Sequence, residues 1–235
     1  RPGPSPVTRH EDGELVAGPL AVQRGAAQPD LLERNPKRRM GDRSVIIGER
    51  RFAPAQLAAA VLRLLADTAR TYRGGTEPDE VRITHPASWA DTRLRALTEA
   101  AELAGLARPT LLPEPVAAAV HYADPRIAQG DLVAVYDLGG GTFDTAVLRR
   151  TADGFVLVGP AGGSDRLGGE DFDERLYHFV GDAIAAHDPA AWEQLRYSDS
   201  RAWVRANSAL RAEVQAAKEA LSGTADYTIY VSAPV

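Results

Sequence analysis

An α/β fold is predicted for this chain of 235 residues, on three observations. Apolar stretches of helical period alternate with short β-rich runs between residues 54 and 158. The apolar segment LVAVYDL, residues 132–138, has the character of a strand in a sheet covered on both faces. It runs into three successive glycines and a second β-rich run, TAVLR at residues 145–149, so two strands and a glycine turn form a hairpin.

Residues 1–44 are rich in Pro, Gly and Arg, with apolar patches such as GELVAGPLAV, and read as loops and short strands. Pro54 suits the first turn of a helix. Leu57, Val61, Leu64, Leu65, Thr68 and Tyr72 continue it at helical spacing, and Gly74 ends it. Val81–Thr84 is a short strand, leading into the extended step His85–Pro86. A helix follows from about Asp91, with Leu94, Leu97, Ala101 and Ala104 on one face and Gly105 as its cap. Thr110–Leu112 is a second short strand, and Pro115 opens an alanine-rich helix to Tyr122. Beyond the hairpin, Phe155–Val158 reads as a strand and Glu170–Ala186 as an amphipathic helix. Ser200–Leu221 is a long, partly polar helix and Thr228–Val231 a last strand. A boundary is expected near residues 123–131, where DPRIAQGD joins two apolar units.

Composition narrows the function. Apolar residues make up 44% and charged residues 25%, as in ordinary globular proteins. A net charge of −5 argues against nucleic acid or an anionic membrane as the main partner. No apolar run reaches the length of a membrane span, and RPGPSPVTRHEDGE lacks the apolar core of a signal peptide. There is no cysteine, hence no disulfide and no thiolate metal site, which suits a reducing cytosol. The sequence begins at Arg1, as expected of a piece of a longer chain.

The strongest chemical signal is DLGGGTFD, Asp137–Asp144. Gly139, Gly140 and Gly141 lack Cβ, so their backbone N–H groups can approach a polyphosphate closely. Thr142 adds a hydroxyl donor. Asp137, at the strand end, is placed to hold hydrated Mg²⁺ through water, and Asp144 to orient water or a second cation. No Gly-Lys-Ser/Thr follows, so this is not a Walker loop. The glycines are contiguous within a hairpin, so it is not a dinucleotide fingerprint either. His85, His121 and His178 lack metal-ligand spacing and read as ordinary core or surface histidines.

Five segments make the pattern specific: VRITHPASWADTRLRALTEAAELAGL, LLPEPVAAAVHYA, LVAVYDLGGGTFDTAVL, RLGGEDFDERL and LRAEVQAAKEALS, in that order. Together they resemble the ATPase domain of the seventy-kilodalton heat-shock chaperones, the DnaK-like family. The likeness is close over residues 81–122, 132–182 and 209–223 and looser over 14–80. It implies the actin-like (ribonuclease H-like) ATPase fold, with two lobes around a nucleotide cleft. On that basis residues 1–123 are the remainder of lobe I and residues 124–235 the first part of lobe II.

The resemblance also implies roles. Lys37, in ERNPKRRMGD, matches the segment of the catalytic lysine, beside the γ-phosphate and the attacking water. It is one of only two lysines among 27 basic residues; the other, Lys218, also falls where the family has lysine. Glu114, in PEPVAAAV, matches the glutamate that organises Mg²⁺ and water, with Pro113 and Val116 as departures. Gly168, Gly169, Glu170 and Asp171 match a turn close to the cleft. There Glu170 and Asp171 serve either a ligand or simply the start of a helix. Gln215, Lys218 and Ser222 lie three and four apart on a helix resembling the one that contacts adenosine. Gln215 replaces the common glutamate and Glu219 an often basic residue. Lys37, Glu114, Asp137 and Thr142 are thus the candidate catalytic residues, with ATP or ADP and Mg²⁺ as cofactors.

The family's first phosphate hairpin and its late adenosine loop have no counterpart in these residues. The expectation is an incomplete cleft, truncated at both ends, that hydrolyses ATP poorly and exposes apolar surface. In the intact chaperone the resemblance implies unfolded peptides, a J-domain co-chaperone and a nucleotide exchange factor as partners, and a cytoplasmic location. Two rivals remain: a small-molecule kinase on the same fold, and a non-catalytic scaffold that binds nucleotide weakly. No acceptor-substrate base is visible for the first, whereas Gln215, Glu219 and Val116 leave room for the second.

Overall fold

The computed structural model describes residues 5–10, 12–106 and 108–232. Residues 1–4, 11 and 107 of the first expected unit and 233–235 of the second lie outside them. Strands β1 (Val7–Arg9), β2 (Leu15–Ala17) and β3 (Leu32–Glu33) form an antiparallel sheet in the order β2-β1-β3. Helix α1 (Pro19–Ala27) and a 3₁₀ turn at Pro29–Leu31 fill the connection between β2 and β3. A second 3₁₀ helix, Pro36–Gly41, starts with Asn35 as its cap, the side chain accepting from the Arg38 N–H at 3.4 Å. The reading of residues 1–44 as loops and short strands agrees with β1, β2 and β3 and is corrected where Pro19 and Pro36 each open a helix at its first turn.

A hairpin of β4 (Val45–Ile47) and β5 (Arg50–Phe52) leads to α2 (Pro54–Tyr72). The Gln56 side chain accepts the Ala53 N–H at 2.8 Å, relieving one orphan donor at the start of α2. Next come β6 (Arg82–His85), α3 (Asp91–Leu103) and β7 (Thr110–Pro113), a βαβ unit with β6 and β7 parallel. Gly105, at φ 75°, ends α3, with Leu106 N–H donating to Ala101 O at 2.9 Å and Gly105 N–H to Glu102 O at 3.0 Å. This is the left-handed C-cap predicted for that glycine. Ala55, Ala59, Ala66, Ala100, Ala101, Ala104 and Leu106 bury together where α2 meets α3; small side chains let the two helices approach closely.

Helix α4 (Glu114–Tyr122) packs on a four-stranded sheet, made of β8 (Leu132–Leu138), β9 (Phe143–Thr151), β10 (Gly154–Leu157) and β11 (Gly162–Ser164). β9 pairs antiparallel with each of the other three. The register Val133↔Leu148, Val135↔Ala146 and Asp137↔Asp144 puts these six residues on one face. Helices α5 (Gly169–His187), α6 (Pro189–Tyr197) and α7 (Arg201–Ala220) close around Tyr177, Leu195, Leu210 and Val214.

Two expectations are corrected. β8 is not covered on both faces: Leu132 is 59% and Tyr136 71% exposed, and Leu138 is exposed too. A continuous apolar run cannot distinguish a strand with one covered face from a strand with two. The last strand is not formed: residues 228–231 pair with no strand among the described residues, and Ile229 instead packs against the cluster between α5 and α7. The α/β class and the glycine hairpin are as predicted. No helix among the described residues is long and apolar enough to cross a membrane.

Candidate functional site

The turn between β8 and β9 carries the glycine run. It is closed by a hydrogen bond from Gly139 N–H to Thr142 O of 2.8 Å. All three glycine carbonyls have partners. Gly169 N–H donates to Gly139 O at 2.9 Å, Glu170 N–H to Gly140 O at 2.8 Å, and Arg38 Nε to Gly141 O at 2.8 Å. The N–H groups of Gly140, Gly141 and Thr142 donate to no acceptor among the described residues. The turn is therefore polarised, with its carbonyls spent on protein donors and three successive N–H groups left for an outside acceptor. Such a run of amides makes an anion-binding concavity.

The two glycine segments require one another. A Cβ on Gly168 would sit 2.6 Å from Gly140 O and 2.7 Å from the Gly141 carbonyl carbon, so any side chain there would separate them. A Cβ on Gly141 would collide with the Asn35 amide. Gly140, by contrast, faces open space, with nothing within 4 Å of where its Cβ would lie. Gly141 and Gly168 are thus packed closely against protein, whereas the space beside Gly140 is open.

Charged groups gather around the turn. Lys37 Nζ lies 2.6 Å from Glu114 Oε1, joining the Pro36–Gly41 helix to the start of α4. Asp137 and Asp144 face each other across β8 and β9. Thr142 is 8% exposed and Asp144 4%. Burial pushes the Asp144 carboxyl above its ordinary value, and the Asp137 and Asp165 charges add to that. The Thr142 hydroxyl and the Lys37 ammonium pull the other way. Among the described residues no group of three or more His, Asp or Glu side chains is arranged to hold a metal ion. The carboxylates of Asp137 and Glu114 are hard oxygen donors, the chemistry that suits a hydrated hard cation.

The Asp144 shift has a signed consequence. Its raised folded-state value means that the folded chain holds this proton longer than the unfolded chain does. Its contribution to stability is therefore fully present below the ordinary aspartate value and is lost as pH rises through the raised folded value. Asp144→Asn is expected to gain stability relative to the parent over that window and to keep the gain at neutral pH. Urea unfolding of both proteins between about pH 4 and 7 checks this. A stability difference that stays flat or shrinks with rising pH contradicts it.

Lys218 reaches the site, with Nζ 2.9 Å from Gly169 O and 2.6 Å from Asp173 Oδ1. Gln215 does not; its amide donates to Glu219 Oε1 at 3.4 Å. Ser222 lies exposed just beyond the end of α7. Glu170 and Asp171 occupy the first turn of α5, as predicted. His85 is buried with Nδ1 2.9 Å from Pro86 O, an ordinary core histidine.

Sequence reasoning missed Asn35, Arg38, Arg93 and Asp165. Asn35 Nδ2 donates to Glu170 Oε2 at 3.2 Å, Arg38 reaches Asp171, and Arg93 NH1 lies 2.6 Å from Asp165 Oδ2. Only the Asn-Pro helix start at residues 35–36 was a readable signal; the contacts themselves are long-range.

The family model described as Hsp70 protein matches residues 23–234. Chaperone protein DnaK of Thermotoga petrophila is 32% identical over 219 residues, which is 90% of this chain and 36% of that protein. Chaperone protein DnaK of Thermosipho melanesiensis is 32% identical over 222 residues, 91% of this chain and 37% of that protein. The chain therefore spans a little over a third of the length of these relatives.

Proposed function

Because the chain belongs to the Hsp70 family, whose ATPase domain has the actin-like fold, we propose that its glycine turn binds the phosphates of ATP or ADP. The single observation that supports this best is the polarity of the turn. Three carbonyls are held by protein donors, and the N–H groups of Gly140, Gly141 and Thr142 are left for an anion. Thr142 would add its hydroxyl. Asp137 and Glu114 would hold Mg²⁺ through water; when bound, that ion would neutralise phosphate charge. Lys37, already hydrogen-bonded to Glu114, would present a compact positive charge to the terminal phosphate. Asp144 would orient water from its buried position, and Gly168 and Gly169 would support the turn from behind. Lys218, with Gln215 and Ser222, would serve the adenosine side.

Residues 1–123 are taken as part of lobe I and 124–235 as part of lobe II. In the whole protein, ATP binding and hydrolysis would alter affinity for unfolded peptides in the cytoplasm. A J-domain co-chaperone and a nucleotide exchange factor would be its partners. The 235 residues contain one glycine hairpin of this kind, and phosphoryl transfer needs charge stabilisation from several sides. Slow hydrolysis is therefore expected of this chain alone. The Gln215–Glu219 hydrogen bond is the observation that favours a non-catalytic nucleotide binder, because it engages a side chain otherwise free for ribose.

Calorimetric titration with Mg-ATP and Mg-ADP tests the reading, beside the double variant Asp137→Ala, Thr142→Ala. Losing these groups is expected to weaken binding by about ten-fold or more, the scale of a lost hydrogen bond to a charged partner. A folded chain that binds neither nucleotide, or a double variant that binds as tightly as the parent, refutes it.

A further inference from the structure

We infer that Arg38 is a positioning residue for the phosphate-binding turn, an inference that rests on the nucleotide reading above. The amides of Gly169 and Glu170 hold the first two glycine carbonyls, and both belong to the start of α5. The third carbonyl, that of Gly141, accepts instead from Arg38 Nε at 2.8 Å. The terminal nitrogens of the same guanidinium meet both oxygens of Asp171, at 3.4 and 2.5 Å. One side chain thus ties the glycine turn to the helix start that supports it. It does so from a different part of the chain, the 3₁₀ helix Pro36–Gly41.

The consequence follows from peptide geometry. A carbonyl and the next residue's N–H point in opposite directions across a planar peptide. Holding Gly141 O toward Arg38 therefore turns the Thr142 N–H away from Arg38, to the side left free of protein acceptors. Three consecutive glycines are otherwise the most conformationally free sequence available, and ordering them costs affinity when a ligand binds. Arg38 removes part of that cost beforehand. Asn35 holds Arg38 in place, accepting its N–H at 3.4 Å while donating to Glu170 Oε2 at 3.2 Å. A lysine cannot reproduce this grip. It lacks the planar fork that reaches a carbonyl and a carboxylate together.

The test uses the full 235-residue chain and four variants: Arg38→Ala, Arg38→Lys, Asp171→Asn and Arg39→Ala. Arg39 is the control, since it pairs with Glu33 and Asp42 within its own segment. Two readouts are taken. The first is amide exchange of Gly139, Gly169 and Glu170 by NMR without nucleotide, because their N–H groups are the protected ones at the turn. The second is calorimetric affinity for Mg-ADP and for adenosine.

Arg38→Ala is expected to speed exchange at these amides and to weaken Mg-ADP about ten-fold, the cost of re-ordering roughly one residue. Adenosine affinity should not move, which separates positioning of the turn from general damage to the fold. Arg38→Lys should fall closer to Arg38→Ala than to the parent. Asp171→Asn, which leaves the Gly141 contact, should show a smaller effect, and Arg39→Ala none. Unchanged exchange in Arg38→Ala, or equal weakening of Mg-ADP and adenosine, overturns the inference. Should the parent bind no Mg-ADP while Arg38→Ala still speeds exchange, the nucleotide reading fails and the positioning of the turn stands.

Discussion

Replacing Lys37 with alanine is expected to lower the rate of ATP hydrolysis by about 10²–10³-fold, the scale of one lost charge-stabilising donor. Lys37 Nζ and Glu114 Oε1 lie 2.6 Å apart, but the lysine side chain is 40% exposed, so the pair contributes little to the fold. The melting temperature should barely change, and Mg-ADP, which lacks the terminal phosphate, should bind within about three-fold of the parent. Lys37→Arg should not restore the rate, because a planar guanidinium on a longer stem replaces a compact ammonium. Single-turnover assays with protein in excess over radiolabelled ATP resolve the slow rates expected of this chain. A rate for Lys37→Ala within about three-fold of the parent would put the chemistry elsewhere and favour the non-catalytic reading.

Local signals carried the elements whose causes are local. Gly105 predicted the end of α3 because the left-handed cap it forms needs a glycine, and Pro54 predicted the start of α2 for a similar reason. The hairpin at Asp137–Asp144 was legible because three glycines interrupt two β-rich runs. Helix α6 was missed; PAAWEQLRY is a short segment whose one buried residue, Leu195, gives no period to read. Thr228–Val231 has β-forming residues but finds no strand to pair with, and pairing is a long-range event that composition does not encode. At the site, glycines and carboxylates were legible as types. Arg38 was not, since KRR reads as a solvated basic run, and only the folded chain brings Gly141 O to its Nε. Gln215 and Ser222 share a helical face with Lys218, yet of the three it is Lys218 that bonds to the start of α5, behind the glycine turn, because a shared face does not set how deep each residue sits.

Glycine substitutions separate the fold of the turn from its ligand. Gly168→Val is expected to destabilise the chain by about 1–3 kcal/mol, because overpacking there cannot be relieved by a rotamer change. The obstructing atoms are backbone, Gly140 O at 2.6 Å and the Gly141 carbonyl carbon at 2.7 Å. Pushing them away would break the bonds from Gly169 and Glu170 N–H to the turn, so Mg-nucleotide binding should fall about 100-fold or more. Gly169→Ala is milder, since its Cβ would meet the end of the flexible Lys218 side chain at 3.2 Å. Gly140→Ala is the informative contrast. Nothing lies within 4 Å of its Cβ, and its backbone is not in the left-handed region, so stability should stay within about 0.5 kcal/mol of the parent. A methyl group at that point nevertheless occupies the open side of the turn. Loss of Mg-ADP binding by Gly140→Ala at unchanged urea midpoint would locate the phosphate over Gly140. Retained binding would mean that the open space there is not the ligand's, and the three free amides would have to serve it from another direction.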